Sequence, residues 1–324
     1  MNPELRERMT SGCPVCLDQR YDVVGLYDRT GHPLTNVRCL CCGLVRVQPL
    51  PTLEQLRQFY EAEYRATYKG SSYPARRHVY RAARLALNRL RTVRPYLTRG
   101  SFVLDVGSGL GAFLYVLEHF GYVPTGIELD PQASRSSEDL LGCSVISSPL
   151  WEVDFPRESF EAITMYHVLE HLPDPLDALR RCWKWLDASG FLFVEVPNIG
   201  SVHQHPGKIF HPAHLFGFYP ETLRFACESA GFRLLRLDVD RYDRNILGVF
   251  RKTAQSAESI RAPRPRCSFF PGQQSLLRYY LQPSTYVRSA NRLVQFSRER
   301  IGVRGKSNAR DILDTLIRKT SVDE

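Results

Sequence analysis

The stretch Phe102-Val103-Leu104-Asp105-Val106-Gly107-Ser108-Gly109-Leu110-Gly111-Ala112-Phe113-Leu114-Tyr115-Val116-Leu117 decides the fold. Its first five residues read as a short buried strand, Gly107–Gly111 as a loop, and the apolar run after Gly111 as a helix. Glycine permits positive φ and close approach of the backbone to a ligand. A glycine loop between a strand and a helix is the setting a nucleotide-binding turn requires. The next strand, Val123-Pro124-Thr125-Gly126-Ile127-Glu128, ends on an acid 21 positions beyond Gly107. An acid at that distance is placed to accept hydrogen bonds from two ribose hydroxyls. Asp130 is the alternative acid, past the strand end and before Pro131. The loop is one residue shorter after its second glycine than G-x-G-x-x-G. It therefore suits a nucleoside with an amino-acid tail better than a dinucleotide, whose pyrophosphate needs a cradle.

Asp105–Gly111 resembles motif I of the class I S-adenosylmethionine-dependent methyltransferases. Two later segments agree, in the family's order. Ser159–Leu172, SFEAITMYHVLEHL, is similar to the fourth strand and following turn, written FDxVxxxxVLEHL. Gly190–Asn198, GFLFVEVPN, is similar to the fifth strand, G-x-L-x-x-x-x-P-N. The resemblance implies an α/β fold with a seven-stranded Rossmann-like sheet and helices on both faces. It implies S-adenosylmethionine contacts at Asp105, Gly107, Ser108, Gly109, Gly111, Glu128, Leu129, Tyr166 and His167. One departure is local. After the third strand, Ser144–Ser147, the family often has an acid for the adenine amine, whereas Pro149, Leu150 and Trp151 stand here. Apolar contact and backbone groups would have to hold the base.

Methyl transfer asks little of the protein, because the sulfonium is already activated and in-line positioning supplies much of the rate. A hydroxyl acceptor also needs a base or a metal. His167, Glu170 and His171 follow the fourth strand. Ubiquinone-type O-methyltransferases carry a metal-binding E-x-x-E-H there, and His167 replaces the first glutamate. A metal at His167, Glu170 and His171 stays open; the other reading of Glu170 and His171 is capping and packing at the helix start, favoured for His171, and His167 is assigned to the cofactor or acceptor. Four of the nine histidines, His203, His205, His211 and His214, fall within 12 positions after the fifth strand. The spacing 203, 205 and 211 could hold a metal. His214–Tyr219, HLFGFY, resembles the family's HLFxFS segment before a helix at 221–231. His214 is the candidate general base or acceptor-site residue, with His211 and Lys208 behind it. The catalytic candidates are thus His167 and His214.

The N-terminal region carries Cys13-Pro-Val-Cys16 and Cys39-Leu-Cys41-Cys42-Gly43, separated by 22 residues. Two such knuckles aim four thiolates at one ion, so Cys13, Cys16, Cys39 and Cys42 are expected to hold a structural zinc, with Cys41 a spectator. Gly12, Pro14 and Gly43 supply turn chemistry. Short ribbon strands are expected at Tyr21–Val24 and Asn36–Arg38. Cys143, Cys182, Cys227 and Cys267 read as small buried apolar residues. Joined to the methyltransferase motifs, the ribbon resembles a bacterial subgroup acting in sugar, cell-surface polysaccharide or secondary-metabolite pathways. Sugar C-methyltransferases of that kind carry a large C-terminal domain. Only about 70 residues follow the core here, which favours O- or N-methylation.

Thr52 reads as the N-cap of a helix through Tyr60, ahead of Tyr64, Tyr68 and Tyr73. Residues 75–98 read as a helix with Val79, Ala82, Ala83, Ala86, Leu90, Val93 and Leu97 on its apolar stripe. The same segment carries eight arginines between Arg76 and Arg99 and no acid. Residues 262–266 read as a linker. Residues 273–299 read as a helix interrupted at Pro283, and 309–319 as another helix. The division is 1–50 zinc ribbon, 51–100 helical connector, 101–253 methyltransferase domain and 254–324 helical basic tail.

The net charge of +9 is a poor description of any of these parts. Residues 1–100 carry +9, 101–252 carry −7 and 253–324 carry +7. The acidic part is the one that would dock a cationic sulfonium. The basic flanks leave an anionic or sugar-linked acceptor, a peripheral membrane contact and a homodimer open, and do not by themselves make a nucleic-acid protein. No apolar run is long enough for a membrane span, and no secretory signal precedes the cysteines, so a reducing, cytoplasmic setting is expected. The sequence supports methyl transfer from S-adenosylmethionine to a small-molecule or sugar-type acceptor. The alternative is an RNA methyltransferase that holds phosphate with the ribbon and the arginine helix.

Overall fold

The computed structural model describes residues 12–58, 75–254 and 276–322. Phe59 and Tyr60 at the end of the first helix, Tyr64, Tyr68, Tyr73, the linker at 262–266 and Cys267 lie outside the described residues. In chain order the elements are β1 (Tyr21–Tyr27), β2 (Pro33–Cys39), β3 (Val45–Val47), α1 (Leu53–Gln58), α2 (Arg76–Val93), β4 (Phe102–Val106), α3 (Ala112–His119), β5 (Val123–Glu128) and α4 (Pro131–Leu141). They continue with β6 (Val145–Ser147), β7 (Phe160–Tyr166), α5 (Pro175–Trp185), β8 (Leu186–Pro197), β9 (Phe216–Gly217), α6 (Pro220–Ser229), β10 (Phe232–Val239) and β11 (Asn245–Lys252). The last three are α7 (Leu276–Leu281), α8 (Pro283–Gly302) and α9 (Ala309–Val322).

Seven strands form one sheet in the order β10-β11-β8-β7-β4-β5-β6. Strands β4, β5 and β6 run parallel. β11 is antiparallel to both β8 and β10. This is the seven-stranded Rossmann-like sheet expected from the sequence. The parallel strands need crossovers, and the helices after β4 and β5 provide them. The chain divides into two compact units, each made of two sequence segments: 1–53 with 165–287, and 54–164 with 288–324.

In the unit built from 54–164 and 288–324, β4 buries Val103, Leu104 and Val106. Helix α2 buries Val79, Ala83, Ala86, Leu87, Leu90 and Val93. It stops at Val93, and Arg94–Tyr96 forms a 3-10 turn. The expected helix to residue 98 is therefore shorter: Pro95 has no N–H to continue the ladder, and Leu97 lies beyond the helix. The arginines of α2 are not equivalent. Arg81 makes a two-point contact with buried Glu299 of α8, at 2.7 and 2.9 Å. Arg76 donates to the Lys306 carbonyl at 2.9 Å. Tyr115 of α3 donates to Asp314 of α9 at 2.7 Å.

In the unit built from 1–53 and 165–287, the ribbon strands are longer than the sequence suggested and do not stop at two. A four-stranded sheet runs β1-β2-β3-β9. Val45 of β3 pairs with Gly217 and Arg46 with Phe216. Val47 N–H donates to the Leu215 carbonyl at 3.0 Å. β9 is only two residues long, below what periodicity can register, so the sequence showed no sign that the ribbon is completed by the segment after His214. Val45, Ile209 and Tyr219 form a small buried cluster there, with Val24, Ile199 and Phe210 packed on it. Cys143, Cys182 and Cys227 are buried, as expected of small apolar residues.

Candidate functional site

The glycine loop is set by backbone conformation. Gly107, Gly109 and Gly111 have φ of +73°, +57° and +73°, values that an L side chain adopts only with strain. At Gly111 an added Cβ would also collide with the Ser137 side chain, whereas at Gly109 nothing lies within 4 Å. The loop is thus tight where it meets its own helices and open at Gly109. Gly107 and Ser108 both donate to the Ile127 carbonyl, at 2.7 and 3.0 Å, so the loop is tied to the end of β5.

Glu128 closes this arrangement. Its Oε2 accepts from Gly109 N–H at 2.7 Å and its Oε1 from Asp130 N–H at 2.8 Å. Asp130 is occupied otherwise: it caps α4, accepting from Gln132 N–H at 3.0 Å and Ala133 N–H at 3.4 Å. Of the two acids, Glu128 is thus bonded to the loop and Asp130 to the start of α4. Leu129 lies between them, half-buried.

Asp105 is buried, and Thr164 Oγ1 donates to it at 2.6 Å. Burial pushes its carboxyl up to about 6, against the pull of Arg89 and the Thr164 hydrogen bond. Ser108 Oγ is buried without a hydrogen-bond partner among the described residues. An orphaned hydroxyl beside an open glycine loop is a feature a bound ligand can satisfy.

The other unit carries the histidines. His167 has φ +60°, unusual outside glycine and frequent where a functional side chain must be aimed. Its Nε2 lies 2.9 Å from Glu195 and its Nδ1 3.5 Å from Glu170. Burial pulls the ring's pKa down, but Glu170 and Glu195 outweigh it and raise it to about 9. The protonated ring is therefore favoured at neutral pH, with Glu195 its nearer partner and Glu170 the more distant one. Tyr166, the residue before it, is buried.

His171 Nδ1 lies 2.7 Å from the Ala213 carbonyl, so that nitrogen is the donor. The His171 ring meets His214 edge-on at 4.8 Å, and His211 stacks on His214 at 4.5 Å. Burial, reinforced by the neighbouring imidazoles, holds His214 well below the usual histidine range. It brings His211 to about 4. Both rings are neutral at pH 7.

Ligand atoms of Glu170, His171 and His214 all lie within 4.8 Å of one another. Glu170 is buried; His167 Nδ1 at 3.5 Å and His171 Nε2 at 3.8 Å are its near neighbours, and its oxygens accept no well-formed hydrogen bond among the described residues. A buried carboxylate in that state is costly unless a cation or a proton meets it.

One reading of the sequence changes here and another is extended. The spacing 203, 205 and 211 does not converge: His203 meets Ser284 Oγ at 2.9 Å, and His205 accepts from Gly207 N–H at 3.1 Å. Lys208 is exposed. To capping and packing, the reading favoured for His171, is added a second relationship: Glu170 and His171 lie close to His214. Contiguous motifs could not reveal this, because His214 is delivered by a loop 43 positions further on, stitched back by Leu215 N–H to the Glu170 carbonyl at 2.8 Å.

The four sulfurs of Cys13, Cys16, Cys39 and Cys42 also lie within 4.8 Å of one another. Sγ–Sγ distances are 3.4 Å for Cys13–Cys42 and 3.5 Å for Cys16–Cys39. Cys41 stands outside the group, its thiol pushed up to about 11 by burial. Gly12 and Gly43 have positive φ, at +128° and +77°, as knuckle turns require.

A family model described as a methyltransferase domain matches residues 75–237, half of the chain. The ubiquinone biosynthesis O-methyltransferase of Xanthomonas campestris pv. campestris is 34% identical over 106 residues, covering 31% of this chain and 44% of the relative. The enzyme of the same name from Coxiella burnetii is 27% identical over 165 residues, 45% of this chain and 70% of the relative. The chain spans just under half the length of the first such relatives it matches. Among solved structures, an S-adenosylmethionine-dependent methyltransferase from Archaeoglobus fulgidus aligns with a TM-score of 0.45 at 22% identity. That alignment covers 52% of this chain and 94% of the other. The Burkholderia thailandensis 1,6-didemethyltoxoflavin-N1-methyltransferase aligns at 0.47 and 18% identity, covering 67% and 96%.

Proposed function

The chain belongs to the methyltransferase-domain family, and from that premise we propose that it transfers a methyl group from S-adenosylmethionine to a small-molecule or sugar-type acceptor by O- or N-methylation. The observation that carries the donor half is the clamp of Glu128 on Gly109, with open space above the loop. In this reading Glu128 accepts from the ribose hydroxyls. Gly107, Ser108, Gly109 and Gly111 shape the backbone cradle, and Asp105, braced by Thr164, fixes its base. Leu129, Tyr166 and His167 are the remaining cofactor contacts. The sulfonium supplies the activated methyl, so the protein's task is alignment and removal of the acceptor's proton. His214, neutral at pH 7, takes that proton, and the Glu170 carboxylate beside it offsets the charge that forms. The likeness to ubiquinone biosynthesis O-methyltransferases supports a hydroxyl acceptor.

A second reading of the same residues is favoured by the convergence of Glu170, His171 and His214. Glu170, His171 Nε2 and His214 would hold a divalent cation, whose chemistry would be to lower the pKa of a bound hydroxyl. The Nδ1 contact of His171 to Ala213 is the support such a ligand usually has. In the ribbon, Cys13, Cys16, Cys39 and Cys42 would hold zinc in a closed, structural site. Thiolate zinc persists in reducing compartments, which supports a cytoplasmic setting.

Calorimetry with S-adenosylmethionine tests the donor site: binding by the wild type, and its loss in Gly109→Arg, are expected. Failure of the wild type to bind would sink the proposal. A labelled-methyl screen over hydroxyl and amine acceptors, run with and without a chelator, separates the two acceptor readings. Activity that survives chelation supports His214 as base, whereas activity lost on chelation and restored by a divalent cation supports the metal.

A further inference from the structure

The helix α8 is turned inside out relative to an ordinary packed helix. From Asn291 to Arg300 the buried residue is an acid, Glu299, and the apolar side chains are the exposed ones. Leu293 is 72% exposed, Ile301 67% and Val294 50%. Spacings of three and four residues put Ala290, Leu293, Ser297 and Ile301 on one stripe along the helix. The opposite side is pinned to α2 by the two-point ion pair between Glu299 and Arg81. Large apolar residues scattered singly need no explanation, but a stripe along one helix does.

The charges around the stripe say what covers it. Residues 276–322 contain ten basic and three acidic side chains. All three acids are committed: Glu299 to Arg81, Asp311 to Lys306, and Asp314 to the Tyr115 hydroxyl. Arg84, Arg292 and Arg298 have no carboxylate partner among the described residues. Arg84 and Arg298 line a groove of about 350 Å³ between α2 and α8, with Asn88, Asn291 and Gln295. Arg300 lies over the Phe296 ring at 5.6 Å. A second copy of the chain fits this face poorly, since a two-fold contact would set these arginines against their own copies with no uncommitted acid among the described residues of α8 to meet them. A leaflet rich in anionic phospholipid satisfies both features at once: guanidinium groups pair with phosphates, and the leucine and isoleucine side chains enter the acyl boundary.

We propose that α8 docks the protein on an anionic phospholipid surface, with Arg84 and Arg298 at headgroup phosphates and Leu293 and Ile301 in the apolar layer. The proposal does not depend on the identity of the methyl acceptor. The experiment is flotation of the full chain with phosphatidylcholine vesicles and with phosphatidylcholine–phosphatidylglycerol vesicles. Binding is expected on the anionic vesicles alone. It should weaken about fivefold for each of Arg84→Gln and Arg298→Gln and fall with added salt. Leu293→Ser should weaken it about tenfold or more. An unchanged thermal midpoint in these exposed variants shows that the fold is intact. Equal binding to neutral vesicles, no binding to either, or binding unaffected by Leu293→Ser would each overturn the proposal. So would displacement from vesicles by free glycerol phosphate, which would assign the groove to a soluble phosphate ester. A lipid-free dimer that dissociates on Leu293→Ser would assign the face to a second copy instead.

Discussion

The Glu128 carboxylate accepts a hydrogen bond from the backbone N–H of Gly109 at 2.7 Å, so the acid at the end of β5 and the middle of the glycine loop form one rigid unit. The loop is held in shape before any ligand arrives, which lowers the ordering cost of binding. Glu128→Gln keeps an acceptor for Gly109 but loses the charge, and Glu128→Ala loses both. Calorimetry should show S-adenosylmethionine affinity reduced about tenfold in the first and about a hundredfold in the second. Equal losses would mean that the loop bond contributes nothing.

Asp105 makes stability depend on pH. Its pKa is raised from 3.8 to about 6 by burial, so across that window the folded chain binds more protons than the unfolded one. Its contribution is favourable below the unfolded pKa and is lost as pH rises through the folded one. Asp105→Asn keeps an acceptor for Thr164 and removes the titration. Urea melts from pH 4 to pH 7 should show the variant gaining on the wild type up to about pH 6 and then level, by about 3 kcal/mol. A constant difference would show that Asp105 does not titrate there.

His214 stacks on His211, its pKa held well below the usual histidine range by desolvation, and is proposed to take the acceptor's proton. His214→Ala should lower kcat by about 10²- to 10⁴-fold while leaving S-adenosylmethionine affinity unchanged. Parallel losses in both would point to a collapse of the loop rather than to proton transfer.

The ribbon is built onto the histidine loop, and Gly25 separates its folding from its docking. A Cβ at Gly25 would run into the Phe210 ring, while Arg29 N–H holds the Phe210 carbonyl at 2.8 Å. Gly25→Val should retain zinc at full stoichiometry by metal analysis yet lower activity severalfold, because Phe210 and its neighbour His211 are displaced. Cys13→Ser should lose both zinc and activity. Full activity in Gly25→Val would show that the ribbon's docking does not shape the histidine loop.

The parts of this protein legible in the sequence are those written in adjacent residues. Val103–Val106, the glycine loop and the helix after it are one local pattern, and Glu128 sits at the end of the next strand. The paired cysteines act at fixed short spacings within each knuckle. Helix α2 was legible as a helix, but its end at Val93 depends on how Pro95 turns the chain, and the burial of Leu87 depends on what packs against it.

What the sequence by itself determined was thus the glycine loop, the seven-stranded α/β class and the four-cysteine cluster, since steric and hydrogen-bonding demands within a few residues specify them. The tertiary structure alone decided that Glu170 and His171 meet His214, that β3 of the ribbon pairs with β9, and that Arg81 is spent on Glu299, 218 positions away. Those contacts join segments far apart in the chain, and the pairing energy that selects them belongs to the packed fold and leaves no periodicity in either segment.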